Sequence, residues 1–179
     1  MPAIAAPTKL GRALIIEDIR QADEELRSHG MVCDRITHNE LMSSSGTEYT
    51  GKLLRGDYAL LWVSTPNDWF VRTPSTQSKT HWQRVNQWIL KAIMLNMFIV
   101  VFGPPGFLWK VPNIKETLSY MTVMKLRLCH AQDKFDTQNA KPSRSFLRLA
   151  TNAKMDTRQF ECKCKVPITD HTLDWYGRD

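Results

Sequence analysis

Four consecutive apolar residues, Ala13-Leu14-Ile15-Ile16, are followed at once by a segment, Asp18 to His29, whose Ile19, Ala22 and Leu26 recur at helical spacing. An apolar run without polar alternation suits a strand buried on both faces, so helices must cover both sides of its sheet. Gly30 is a natural helix stop, and Met31 to Ile36 turns apolar again. Strand, helix, strand in the first 36 residues is the unit from which parallel sheets are built, and it commits the chain to an α/β fold.

The rest of the chain extends that pattern. Asn39 to Gly56 is rich in Ser, Gly and Thr and reads as a loop, and Tyr58 to Val63 reads as the next buried strand, ended by Ser64-Thr65-Pro66. After an irregular stretch from Asn67 to Lys79, Trp82, Val85, Ile89, Ala92, Ile93 and Asn96 fall on one helical face starting from Thr80. Phe98 to Phe102 is the most hydrophobic strand, Gly103-Pro104-Pro105-Gly106 turns sharply at its carboxyl end, and Pro112 opens a short helix to about Ser119. In the last third, Met124, Leu126 and Leu128 alternate with Lys125 and Arg127. Phe146 to Thr151 and Gln159 to Cys164 read as two further strands, joined by a polar turn over Asn152 to Asp156. The predicted sheet is parallel first and antiparallel at one edge. Residues 1–11 are expected to form a loose arm and 12–179 a single domain.

Composition narrows the function classes. Twenty-four Lys and Arg against eighteen Asp and Glu give the 179-residue chain a net charge of +6, which favours an anionic partner. Ile89 to Phe102 is interrupted by Lys91 and Asn96 and is too short to cross a bilayer, so no membrane partner is expected. Four cysteines do not make a disulfide scaffold, and the start lacks a charged leader followed by an apolar core. A reducing compartment, nuclear or cytoplasmic, is the expectation.

In open parallel sheets ligands sit where loops leave the carboxyl ends of the strands, and three such loops can be located. The first, Glu17 to Gln21, lacks the glycines that let a backbone approach a nucleotide; its acidic pair is able to bind a ribose or an amine, but it also suits a helix amino-terminus, whose dipole favours Asp and Glu. The second, Ser64 to Trp69, offers Asn67, Asp68 and Trp69, the last able to stack on a base or to fold over the sheet edge. The third, Phe102 to Pro112, is a rigid Pro-Pro turn in which Trp109 anchors the next helix.

Cys162, Cys164 and His171 are metal-capable, but one residue between the cysteines is too few for two thiolates to share a zinc tetrahedron, so buried structural thiols and no metal are expected. His29 and His38 have no evident partner in the sequence, and His81, near a helix start, reads as a surface residue. From Lys141 to Lys165 seven basic residues (Lys141, Arg144, Arg148, Lys154, Arg158, Lys163, Lys165) meet two acidic ones, so nearly all the excess charge lies on one predicted hairpin. Such a hairpin faces phosphates or is a solvated edge strand.

These segments, taken in order from Arg12 to Gly177, resemble the DNA (cytosine-5)-methyltransferase-like domains of some eukaryotic retroelement polyproteins. Tyr58 to Pro66 is similar to the strand that ends in the family's Pro-Pro-Cys. The helix from His81 leads into Phe98 to Phe102 and the place of its Glu-Asn-Pro motif. Trp109-Lys-Val-Pro-Asn-Ile114 is similar to a Trp-x-Leu-Pro segment. Leu128-Cys-His130, Lys141-Pro-Ser-Arg144 and Thr151-Asn152 are similar to a Cys-x-Phe-Gly, Lys-Pro-Thr, Thr-Asn series, and Cys162, Cys164, His171 and Gly177 resemble its closing pattern. The resemblance implies a Rossmann-like methyltransferase-type sheet, mostly parallel with an antiparallel edge hairpin. It puts S-adenosylmethionine, if any cofactor is retained, at Glu17, Asp18, Asp34 and Pro66.

The departures bear on activity. The family's glycine-rich cofactor loop is replaced by Glu17 to Gln21, its nucleophilic cysteine falls at about Asn67, and its base-contacting glutamate falls at about Gly103. Methyl transfer to carbon 5 needs a thiolate to add to the ring and an acid beside the ring nitrogen. The expected function is therefore a catalytically degenerate domain, without cofactor, that binds DNA, RNA or a protein. The alternatives are an active enzyme with a remade site at Asp68 and Trp69, and a structural subunit for an acidic protein partner.

Overall fold

A computed structural model describes residues 11–65, 76–104, 109, 111–127 and 146–161. Strand β1 (Arg12–Ile16), helix α1 (Ala22–Ser28) and strand β2 (Val32–Ile36) form the expected opening unit, with β1 and β2 parallel. Gly30 takes φ 84° after α1, a conformation open to glycine at no steric cost. Strand β3 (Leu60–Ser64), helix α4 (Thr76–Met94) and strand β4 (Phe98–Gly103) repeat the unit, and α5 (Pro112–Leu118), β5 (Thr122–Arg127), β6 (Phe146–Thr151) and a 3₁₀ turn (Thr157–Phe160) follow.

The six strands form one sheet in the order β2-β1-β3-β4-β6-β5. The ladders among β1, β2, β3 and β4 are parallel and both ladders of β6 are antiparallel. The fold is thus α/β, with a mostly parallel sheet and its antiparallel pairing at one edge. Winding reverses between β1 and β3, where successive crossovers leave in opposite directions and open a crevice at the strands' carboxyl ends.

One sheet face carries Leu14, Ile16, Ile36, Leu61, Val63, Ile99, Val101 and Ala150 against Trp82, Val85, Trp88 and Ile89 of α4 and Ile114 and Leu118 of α5. The other face packs Ala13, Ile15 and Cys33 against Ala22 and Leu26 of α1. Every residue of β1 after Arg12 is buried, as its unbroken apolar run requires. Cys33 is a buried thiol whose pKa burial pushes up, which fits a structural role.

Three expectations are corrected. Asn39 to Gly56 is not a loop: it holds most of α2 (His38–Leu41) and all of α3 (Ser44–Leu54). A capping box starts α2, with Glu40 N–H donating to Thr37 Oγ1 (3.2 Å) and Thr37 N–H to Glu40 Oε2 (2.8 Å). Tertiary contacts outweigh the poor helix propensity of Ser, Gly and Thr in α3: Leu53 is fully buried, Trp88 Nε1 donates to Thr50 Oγ1 (2.9 Å), and Gly46 packs so close to the Leu41 carbonyl that a Cβ would lie 2.0 Å from its oxygen. Asn96 does not belong to the apolar face of α4; it is exposed, with φ 53°, in the turn after the helix. Nor do Phe146–Thr151 and Gln159–Cys164 pair as a hairpin. The partner of β6 is β5, which takes the outer place, and Thr157–Phe160 is a 3₁₀ turn opened by the Asp156 carboxylate accepting from Arg158 N–H (3.1 Å). Residues 1–10 and 162–164 lie outside the described residues.

The junction of the parallel and antiparallel parts is clamped by one side chain. Asn152, just past β6, accepts from Ile99 N–H through Oδ1 (2.9 Å) and donates through Nδ2 to Met97 O (2.7 Å), which fixes where β6 meets the start of β4. Asn152→Ala removes both partners from a half-buried position and should lower the unfolding free energy by about 1–3 kcal/mol in urea, with an unchanged m-value.

Candidate functional site at the carboxyl ends of the strands

The loop after β1 turns its charge inward. Glu17 continues the strand ladder through its N–H to Ile36 O (3.1 Å), and its side chain, only 1% exposed, folds over the start of α1. Its carboxylate accepts from Ala22 N–H (3.0 Å), Asp23 N–H (3.1 Å) and Gln21 N–H (3.4 Å), and Arg35 Nε lies 3.5 Å away. Gln21 occupies the cap position without a side-chain cap bond, so Glu17 does that work from four residues earlier. First-turn amides that lack intrahelical partners are the groups a helix would offer to a bound anion, and here the chain's own carboxylate holds them. The delayed start of α1, at Ala22 rather than Asp18, follows from this contact.

Asp18 is committed to the backbone as well. Its Oδ1 accepts from His38 N–H at the start of α2 (3.0 Å), and its carbonyl accepts from Arg35 (2.8 Å). Asp34 lies inside β2, and there accepts from the Tyr58 hydroxyl (2.6 Å), with Arg12 Nε 3.9 Å away. Burial, followed by that hydrogen bond, pushes the Tyr58 phenol far above its ordinary value.

Two histidines meet beside the end of β3. His38 is 3% and His81 8% exposed; His38 Nδ1 and His81 Nε2 are 2.9 Å apart, and His38 Nε2 lies 2.6 Å from Ser64 O. A carbonyl only accepts, so His38 carries its proton on Nε2; in the neutral ring Nδ1 then accepts from His81 Nε2–H. The pair ties α2, the end of β3 and α4 together. The surface position expected for His81 is thereby corrected: α4 begins at Thr76, four residues before the predicted start, which places His81 inside the helix and over the sheet. His38 likewise has a partner, though one 43 residues away that no local pattern reveals.

Thr65 donates through both N–H (2.9 Å) and Oγ1 (3.2 Å) to Phe102 O. At Gly103 a Cβ would stand 1.6 Å from Thr65 Oγ1 and 2.9 Å from Thr65 Cβ, so the Thr65 side chain fills the space that any larger residue at 103 would need. Trp109, 6% exposed, donates from Nε1 to Pro104 O (2.8 Å), the anchoring expected of it.

Pro66, Asn67, Asp68, Trp69, Cys129, His130, Lys141, Arg144, Cys162, Lys163, Cys164, Lys165 and His171 lie outside the described residues. Of the basic candidates within them, Arg148 is half-buried on β6, Lys154 is exposed after it, and Arg158 is held by Asp156 at 3.0 Å. Among the described residues, no three His, Cys, Asp or Glu side chains are grouped to hold a metal ion, and no helix is long and apolar enough to cross a membrane. The sequence signal that was present but unused is Thr37-His38-Asn39-Glu40, a capping-box pattern that places His38 at a helix start behind β2.

Comparison with family models, with curated proteins and with solved structures finds no match to this chain.

The histidine pair carries a pH dependence. Burial pushes His81 down to about 4, the His38 ring and Arg84 add to that, and Asp18 opposes it. In the unfolded chain a histidine titrates near 6.5, so on acidification the unfolded state takes up the proton first. The contribution of this group is intact above about pH 6.5 and is lost progressively down to about pH 4. Between pH 6 and 4.5 the unfolding free energy of the wild type should fall more steeply than that of His81→Gln, by about 1 kcal/mol per pH unit, in urea titrations at each pH.

Proposed function

We propose that the chain is a methyltransferase-derived α/β domain that has lost the reaction and serves as a nucleic-acid-binding module. Its parallel strands, ordered β2-β1-β3-β4 and followed by a hairpin whose β6 is antiparallel, agree with a Rossmann-like methyltransferase-type sheet. The observation that carries the loss of chemistry is Glu17. A donor cofactor seated at the switch point would need the first-turn amides of α1 and an open approach to them, and the Glu17 carboxylate lies on those amides at 3.0–3.4 Å. Thr65 against Gly103 supports the same reading, since the position at which the resemblance puts a base-contacting glutamate has no room for one. His81, held neutral at pH 7 and donating to His38, is a poor proton acceptor for a reaction. The net charge of +6 supports an anionic partner.

Two titrations test this reading. Calorimetry with S-adenosylmethionine and with its demethylated product should give no saturable heat at 1 mM ligand. Fluorescence anisotropy with a labelled 20-nucleotide single strand at 50 mM salt should show saturable binding that weakens as salt rises. Micromolar cofactor affinity would restore the enzyme reading, and an oligonucleotide that does not bind at 50 mM salt would end the nucleic-acid one.

A further inference from the structure

Strand β2 ends the sheet on the side away from β5 and β6, and its ladder with β1 fixes which of its backbone groups face outward. Glu17 N–H donates to Ile36 O, whereas Arg12 O, in the alternate set of β1, accepts from Ala59 N–H beside β3. The N–H and C=O of one strand residue point to the same side and alternate along the chain. Val32, Asp34 and Ile36 therefore point to β1, and Cys33 and Arg35 point out of the sheet. An edge of this kind is a template for another strand. Cys33 N–H and both backbone groups of Arg35 meet no partner among the described residues, and Val32, at the start of the strand, is 55% exposed.

The remaining outward group is occupied. Arg27, near the end of α1, donates from Nη2 to Cys33 O and from Nε to Asp23 Oδ1 (2.6 Å). Asp23 is 2% exposed, and its own N–H donates to Glu17 (3.1 Å), so a buried carboxylate at the helix start aims the guanidinium at the edge. Arg20 Nε, 3.5 Å from the other oxygen of Asp23, makes no hydrogen bond to β2 among the described residues. The Arg27 side chain is half-exposed, so a strand arriving at Cys33 O has to displace a solvated charge as well as a hydrogen bond.

We infer that Arg27 is a latch on the β2 edge: it holds the outward carbonyl of Cys33 and so keeps β2 from pairing with β2 of a second copy of this chain. Self-complementarity sets the occupant. Two β2 strands laid antiparallel, with Cys33 of each opposite Arg35 of the other, bring every outward group of both into hydrogen-bonded pairs. A shift one way sets Arg35 against Met31, whose N–H is given to Leu26 O, and a shift the other way sets Cys33 against Thr37, whose N–H is given to Glu40. In the favoured register Asp34 faces its counterpart, a like-charge contact that the Tyr58 hydroxyl (2.6 Å) and Arg12 (3.9 Å) offset within each chain. Pairing about a two-fold axis consumes both β2 edges, so it stops at a dimer.

The experiment is sedimentation equilibrium of the wild-type chain, Arg27→Ala and Arg20→Ala from about 10 to about 500 µM, the range in which a weak dimer forms. Circular dichroism shows that each variant is folded, and amide exchange is read residue by residue. The wild type should stay a monomer. The mean mass of Arg27→Ala should rise with concentration toward about twice that value, and its Cys33 and Arg35 amides should gain protection as it does. Arg20→Ala, which takes a cation from Asp23 but leaves Cys33 O covered, should behave as the wild type. A monomeric Arg27→Ala, a self-associating wild type, equal association in Arg20→Ala, growth beyond the dimer, or a dimer whose Cys33 and Arg35 amides stay unprotected overturns the latch. Because Arg27→Ala strands the buried Asp23 charge, Asp23→Asn/Arg27→Ala replaces it if it does not fold. Exchange in the dilute wild type decides independently of any variant. Cys33 and Arg35 amides should exchange openly while those of Asp34 and Ile36 are protected, and protection of the outward pair there overturns the proposal as well.

Discussion

The arrangement of the crevice depends on where one carboxylate goes. Glu17 is buried at the end of a strand with no aqueous exposure to offset its charge, and a buried carboxylate persists only when its lone pairs are met. The amides of Gln21, Ala22 and Asp23, with Arg35 beside them, meet them. The same contact delays α1, holds the β1–α1 loop in a bend, and puts an anion of the chain's own making at the switch point. Asp18, one residue on, then reaches the start of α2, and His38, the first residue of that helix, is carried to His81.

Polar groups around the carboxyl ends are therefore spent on one another: Asp18 on His38, His38 on Ser64 O and His81, Thr65 on Phe102 O, Trp109 on Pro104 O. Such mutual satisfaction rigidifies a loop cluster.

The strands and the longest helix were legible because their apolar runs and spacings have no other way to be buried: Ala13 to Ile16, Phe98 to Phe102 and the Trp82 to Ile93 face all sit where periodicity puts them. Helix α3 was not legible, since Ser44 to Gly51 has weak propensity and is held by Trp88 and by the close approach of Gly46 to Leu41, contacts made only after folding. The loops could be located, and the structural role of Glu17 anticipated from the preference of helix starts for acidic residues. The histidine pair could not, because its two members lie on separate elements. The pairing of β6 with β5 was missed for a similar reason. Leu126 and Phe146 are brought into neighbouring ladder positions across a gap of 19 intervening residues, while the nearer segment after Asn152 was the local choice.

Amide hydrogen exchange at Ala22 and Asp23 tests most directly whether the chain's own carboxylate holds the start of α1. Glu17 is the hydrogen-bond acceptor for both amides, so in the wild-type chain they should be protected. In Glu17→Ala both should exchange at rates close to those of an open chain, while Leu14 and Leu61 in the core keep their protection. Ready exchange at Ala22 and Asp23 in the wild type, or protection there that survives Glu17→Ala, would contradict the account.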